Sequence, residues 1–520
     1  MKIVARALRP VALTALAAAV AAGAGCGGGR QGEAANELVV ALRSAPIHLD
    51  PRVATDQASS RVFEVALNGL VTKDPEGNFL PDLAERWEIL DQGRRWRFHL
   101  RPGVRFHDGR ELAARDVVWT FRTILDGTVT TVKRAALPRL ERVTAVDDLT
   151  VDFELDQPFG PMLADLTCFL GIVPDGSTPE ANDAALVGTG PFRVVERRPD
   201  TVVLEAFDDH WRGRPAIDRL TLRAVPDATV RVLELRKGSV NLAVNDLPPD
   251  VVAQMRDDPK FQVVEDPGSN YAYIGLNLED PLLARPEVRR AIYLAIDRER
   301  LVGTLWRGLG WVTETMIPPG HWAHHDGLPR TPHDPAAARE LLDTAGLADP
   351  DGDGPRPRFR LTFKTSTEET YLLQAQIIQS MLAEVGIEVE IRSYEFATFY
   401  DDVKRGNFQM FSLVWTGIVD PNIYALTLHS ERVPPAGSNR GRYRNPAFDR
   451  LIEEGARRID PAERRSFYLE AQEIFARDLP YLSLYIKATV GVMSAGLEGY
   501  ANYTSGELYS VREMRWRERG

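Results

Sequence analysis

Residues 94–125, RRWRFHLRPGVRFHDGRELAARDVVWTFRTIL, constrain the fold of this chain more than any other stretch. Trp96, Phe98 and Leu100 alternate with Arg95, Arg97, His99 and Arg101, the period of a strand that buries one face. Pro102-Gly103 breaks the strand, Val104 and Phe106 resume the alternation as a second short strand, and Asp108-Gly109 turns the chain again. Ala114, Val117, Val118, Phe121, Ile124 and Leu125 then fall on one face of a helix that Gly127 ends. A strand, turn, strand, helix unit with an aromatic-rich face must be covered by other parts of the chain.

The order of this module, an aromatic strand, Leu100-Arg101-Pro102-Gly103-Val104, Phe106-His107-Asp108-Gly109 and a helix carrying Asp116-Val117, resembles the signature of the family 5 solute-binding proteins. These are the peptide and nickel type that feed bacterial ABC importers. Leu67-Asn68-Gly69-Leu70, the run from Asn78 to Trp87, and a helix from Pro286 closing in Ala295-Ile296-Asp297-Arg298 are similar to the family in the same order.

The resemblance implies an α/β fold of the periplasmic-binding-protein kind (type II, cluster C), with two main lobes around a hinge and an extra inserted domain. It implies a discontinuous lobe I at 37–67, 186–275 and 487–520, an inserted domain II at 68–185, and a lobe III at 276–486. At 520 residues the chain is too long for one core, in keeping with several lobes. His107 and Asp108 are scaffold in such proteins.

The N-terminus reads as a targeting segment. Lys2, Arg6 and Arg9 precede an apolar run of small residues at 11–25 that is too short to span a bilayer. Gly23-Ala24-Gly25-Cys26 resembles a lipobox in which Cys26 is diacylated, although Gly23 stands where the motif usually has Leu. Residues 26–36 then form a flexible tether, and the protein is expected outside the cytoplasm, on the periplasmic side or the outer cell surface, anchored by lipid. The other cysteine, Cys168, reads as a small buried hydrophobe. The net charge of −11 is spread without a basic block, which argues against nucleic acid as a partner.

The candidate chemistry is that of binding. No Gly-x-Ser-x-Gly elbow, His-Glu-x-x-His or paired cysteine motif is present, so an enzyme is not expected. Asp349 to Gly354 alternates oxygens like a calcium loop but has Arg360 where an EF-hand wants Glu, and the histidines 321, 324 and 325 sit in a loop the family varies freely. No cofactor and no metal are expected. Gly188-Thr189-Gly190 lacks the Lys and helix of a phosphate loop and reads as a turn.

Residues 411–424, FSLVWTGIVDPNIY, resemble the family's ligand-cleft segment, in which Trp stacks on the ligand and a following Asp pairs with the amino end of a peptide. Trp415 takes the first role. The second is altered, because Ile418 follows Gly417 and the spacing to Asp420-Pro421 is one residue short; either Asp420 substitutes or the ligand has no free amine there. Asp56 and Gln57 fall where the family's cleft-edge contacts sit, and Tyr271 and Tyr485, with Tyr273 and Tyr394, could lend rings with polar tips. The expected function is a monomeric substrate-binding component that captures short peptides or peptide-like solutes between two closing lobes and delivers them to an ABC permease and its ATPase. The alternatives are a non-peptide ligand, such as a metal chelate or an opine-like compound, and an extracytoplasmic peptide hydrolase or chaperone.

Overall fold

A computed structural model describes residues 36–167, 171–352 and 354–517. Cys26, the targeting segment and Cys168 lie outside the described residues. Among those described, no helix is long and apolar enough to cross a membrane.

A mixed sheet forms the backbone of the molecule. From one edge its strands run Ile387–Tyr394, Phe359–Ser366, Met410–Trp415, Phe261–Leu276, Tyr481–Ser494, Leu242–Val244, Glu37–Leu42, Arg219–Ala224, Thr201–Ala206 and Phe192–Arg198, with Gly310–Val312 also paired to Tyr481–Ser494. The first of these in the chain is the near-continuous apolar run ELVVAL. It lies parallel to both neighbours and is covered on its faces, as such runs require.

Two strands, Phe261–Leu276 and Tyr481–Ser494, are much longer than the rest and pair antiparallel along their length. Their register holds from Phe261↔Ser494 to Pro267↔Ala488, steps, resumes from Asn270↔Lys487 to Ala272↔Tyr485, and after a second shift runs from Tyr273↔Ser483 to Gly275↔Tyr481. Gly268 sits at the step. A Cβ there would lie 2.6 Å from the Lys487 carbonyl oxygen and 2.9 Å from Thr489 Oγ1, so glycine allows the strands to touch. On one side of the step the sheet packs on helix Gln57–Ala66, with Leu38, Val62, Phe63 and Leu220 in its core; on the other it packs on helices Pro286–Ala295 and Glu369–Ala383, with Ile292, Phe363 and Ile378.

The opening module folds as read for its first strand, Arg95–Leu100, and its helix, Ala114–Leu125. Its second strand does not form. Phe106 accepts from Gly109 N–H and donates to Arg110 C=O, a tight loop leaving one isolated bridge, Arg105↔Glu111, and burying Val104 and Phe106 as loop residues. The first strand belongs to a separate four-stranded sheet, Ala84–Leu90, Arg95–Leu100, Thr150–Leu155, Leu140–Asp147, whose buried face is Trp96, Phe98, Phe153 and, from the helix, Phe121.

His107 ties this sheet to the rest. Its Nδ1 accepts from Gly188 N–H at 3.2 Å, which leaves Nε2–H to donate to the Gly190 carbonyl at 3.0 Å. Burial pushes the ring down to about 4, so it is neutral. Gly190 in turn donates to Ala66 C=O, with no room for a side chain.

Candidate ligand-binding cleft

A cleft of about 590 Å3 opens where the two long strands change register, with walls from both sides of the step. One wall carries Arg43, Gln57, Arg61, Glu64, Asn245 and Asp246; the other carries Trp306, Leu309 and the turn Thr416, Gly417 and Val419; Lys487, Ala488 and Asn270 lie between them. The turn is tied to the step itself. Gly417 N–H donates to Asn270 Oδ1 at 3.1 Å and Ile418 N–H to the Ser269 carbonyl at 3.0 Å. His321 braces it from behind: its Nδ1 accepts from Ala323 N–H, so its Nε2–H donates to the Val419 carbonyl at 3.2 Å.

The floor is an ion-pair network. Arg61 meets Glu64 at 2.7 Å, and Lys73 meets Glu507 at 2.7 Å, all four side chains being nearly inaccessible. Glu64 also accepts from Leu508 N–H, and Glu507 from Ser505 N–H. Burial raises Glu64 to about 7, against the pull of Arg61, whereas Lys73 and Arg61 overcome the burial of Glu507 and hold it below the usual range. Asp246 is raised by burial, against Arg43, which meets it at 3.5 Å. Each acidic group of the cleft therefore has a cationic partner.

Of the residues expected at the site, Gln57 lines the cleft. Asp56 instead caps the helix Gln57–Ala66, its carboxylate accepting from Ser59 N–H at 2.8 Å and Ser59 O–H at 2.7 Å. Tyr271 and Tyr485 are wholly buried in the sheet core rather than in the cleft. Their hydroxyls bond Ser483 at 2.7 Å and Gln374 Oε1 at 2.6 Å, and burial raises both well above the ordinary phenol range.

Asp420 is also corrected. Its two oxygens accept from Arg464 Nη1 at 3.0 Å and Nη2 at 2.7 Å, both side chains are buried, and no cleft surface remains to it. Ile418 is buried at 4% exposure among Phe399, Tyr424 and other aromatic neighbours. Trp415 does not line the cleft; its ring lies parallel to Tyr273 at 6.5 Å with the Arg440 guanidinium 4.4 Å over it, packing behind the turn whose next residues do.

Sequence reasoning missed Arg61, Glu64, Lys73, Asn245, Lys487 and Glu507. The sequence carries a signal for three of these, Arg61, Glu64 and Lys487. Arg61 and Glu64 stand among Ala58, Val62 and Val65 on the buried side of an amphipathic helix, and Lys487 is the one charge in an otherwise uncharged strand, Tyr481–Ser494.

The family model described as "Bacterial extracellular solute-binding proteins, family 5 Middle" matches residues 78–432. The chain is 32% identical to the probable di/tripeptide-binding protein 5 of Pseudomonas aeruginosa, over 90% of this chain and 94% of that one. It is 30% identical to the heme-binding protein A of Haemophilus influenzae, over 91% of each. Its structure is similar to that of HbpA2 from Haemophilus parasuis, with a TM-score of 0.81 and 27% identity over 91% of this chain and 98% of that one. The chain belongs to the family 5 bacterial extracellular solute-binding proteins, a family of binding proteins with this mixed α/β fold.

Proposed function

We propose that this chain is the substrate-binding component of an ABC importer and captures short peptides or peptide-like solutes in the cleft at the register step. The observation that carries this reading is the cleft itself, whose walls come from opposite sides of a two-strand crossing. Such a crossing can flex at Gly268 and Lys487, so lobe I (37–67, 186–275 and 487–520) and lobe III (276–486) close on a solute while domain II (68–185) rides on them. Only a solute that binds the closed state better than the open one shifts the population. The closed form is what a membrane permease and its ATPase receive, and diacylated Cys26 keeps a monomeric protein at the membrane. Relatives named for di/tripeptides support the peptide reading.

The test is a thermal-shift screen with peptides of two to five residues, followed by small-angle scattering on the hits. A peptide at a hundred times its Kd should stabilise the protein by about 2.7 kcal/mol and reduce the radius of gyration. Stabilisation by no peptide would refute the reading. A second reading, a non-peptide solute, is favoured by one observation: the position after Gly417 is the buried Ile418, and the nearby Asp420 is consumed by Arg464. A relative named for heme supports this second reading.

A further inference from the structure

Charge complementarity in the cleft is lopsided, and the imbalance lies at the register step. Glu64, Glu507 and Asp246 are the carboxylates lining the cleft, and they face Arg61, Lys73 and Arg43 respectively. Lys487 is the exception among the cleft's charges. Its ammonium sits 4.0 Å over the Trp306 ring, half-buried, and among the described residues no carboxylate lies within 4 Å and no acceptor bonds it. The charged groups around it at longer range are Arg43, which repels it, and the exposed Glu368 at the start of helix Glu369–Ala383. An ammonium withdrawn from water onto an aromatic face, without an anion, is a costly arrangement that an incoming anion relieves.

We propose that the cleft takes its solute by an anionic end, with a carboxylate seated on Lys487 against Trp306, and does not require a free amine. This deepens the reading of the cleft as a solute site and rests on it: the solute class becomes carboxylate-bearing compounds whose amino end is dispensable, such as N-blocked peptides. A free ammonium meets only carboxylates that already face Arg61, Lys73 or Arg43. A carboxylate displaces nothing. Lys487 pairs with Asn270 across the strands at the step, so the anchor lies where closure of the walls pivots and a bound anion contacts both sides.

The experiment is calorimetry with four forms of one dipeptide, alanyl-phenylalanine: free, N-acetylated, C-amidated and doubly blocked. The expected result is that N-acetylation changes affinity less than threefold while amidation weakens it at least tenfold. In Lys487→Met the amidation penalty should shrink below threefold, and in Lys487→Arg, which keeps the charge, it should persist. A tenfold or larger loss on N-acetylation, or an amidation penalty unchanged in Lys487→Met, overturns the proposal and leaves the peptide reading standing. If no form binds, the peptide reading fails, and the same titration with simple carboxylates and with simple amines decides the charge. Carboxylate binding that Lys487→Met abolishes upholds the proposal; binding of amines alone, or of neither, overturns it.

Discussion

Arg464 holds Asp420 by both carboxylate oxygens, at 3.0 and 2.7 Å, in a site where each side chain is less than a tenth exposed. Asp420 keeps its guanidinium partner well above the ordinary arginine range, against the cost of burial. The carboxylate that sequence spacing nominates for the solute's amine is thus already spent inside the protein. Removing one partner should cost roughly 3–5 kcal/mol, so Arg464→Met should lower stability by that amount in urea unfolding. Solute affinity of the variant, measured at a temperature where it is folded, should change less than threefold; a hundredfold loss would put Asp420 back in the site.

Tyr485→Phe and Tyr271→Phe test the displaced tyrosines. Each removes one buried hydroxyl bond, to Gln374 or Ser483, and should cost about 1 kcal/mol while leaving solute affinity unaltered. Thermal denaturation and calorimetry on the same samples separate the two effects. A loss of binding without loss of stability would mean that these rings reach the solute.

The strand Arg95–Leu100 and the helix Ala114–Leu125 could be read from the sequence, because periodic burial leaves a periodic trace. The short strand at Val104 and Phe106 was misread for the same reason. Alternating burial also arises in a tight loop, and only the bonds from Phe106 to Gly109 and Arg110 distinguish the two. The site was less legible. Asp56 and Asp420 have the right chemistry for solute contact, but whether a carboxylate is free depends on partners distant in sequence, such as Arg464. Lys487 shows the converse: its oddity in an apolar strand is visible, yet the ring beneath it comes from Trp306.

Glu64 predicts a pH dependence of stability. Its folded pKa, raised to about 7 by burial, lies above the usual 4.5, so between these values the folded protein binds more protons than the unfolded one and stability falls as pH rises. Unfolding in urea at pH 5, 6, 7 and 8 should show this slope, and Glu64→Gln should flatten it. An identical slope in the variant would assign the titration elsewhere.

Lys487 titrates in the opposite sense. Burial, and then Arg43, lower it from 10.5 to about 8, while Glu368 pulls the other way. A carboxylate seated on it restores the charged form, so binding at pH 8 should take up protons, and affinity should fall above that pH. Calorimetry in buffers of different ionisation enthalpy reads the proton uptake directly. Uptake should vanish in Lys487→Met; if it persists there, another group titrates on binding.

Gly268 controls the step between the long strands. Gly268→Ala places a Cβ against the Lys487 carbonyl and should cost 1–3 kcal/mol, with a loss of solute affinity of at least tenfold because both cleft walls shift. Equal affinity in the variant would separate the step from the binding motion.

The central claim, that the cleft at the step binds and releases intact solute, is tested most directly by native mass spectrometry after incubation with a mixed pool of short peptides and their N-acetylated forms. The account predicts adducts of one solute per protein, with N-acetylated peptides among them, released unchanged on denaturation and absent in Lys487→Met for solutes held by their carboxylate. No adduct at any solute concentration, or recovery of cleaved peptides only, would contradict it.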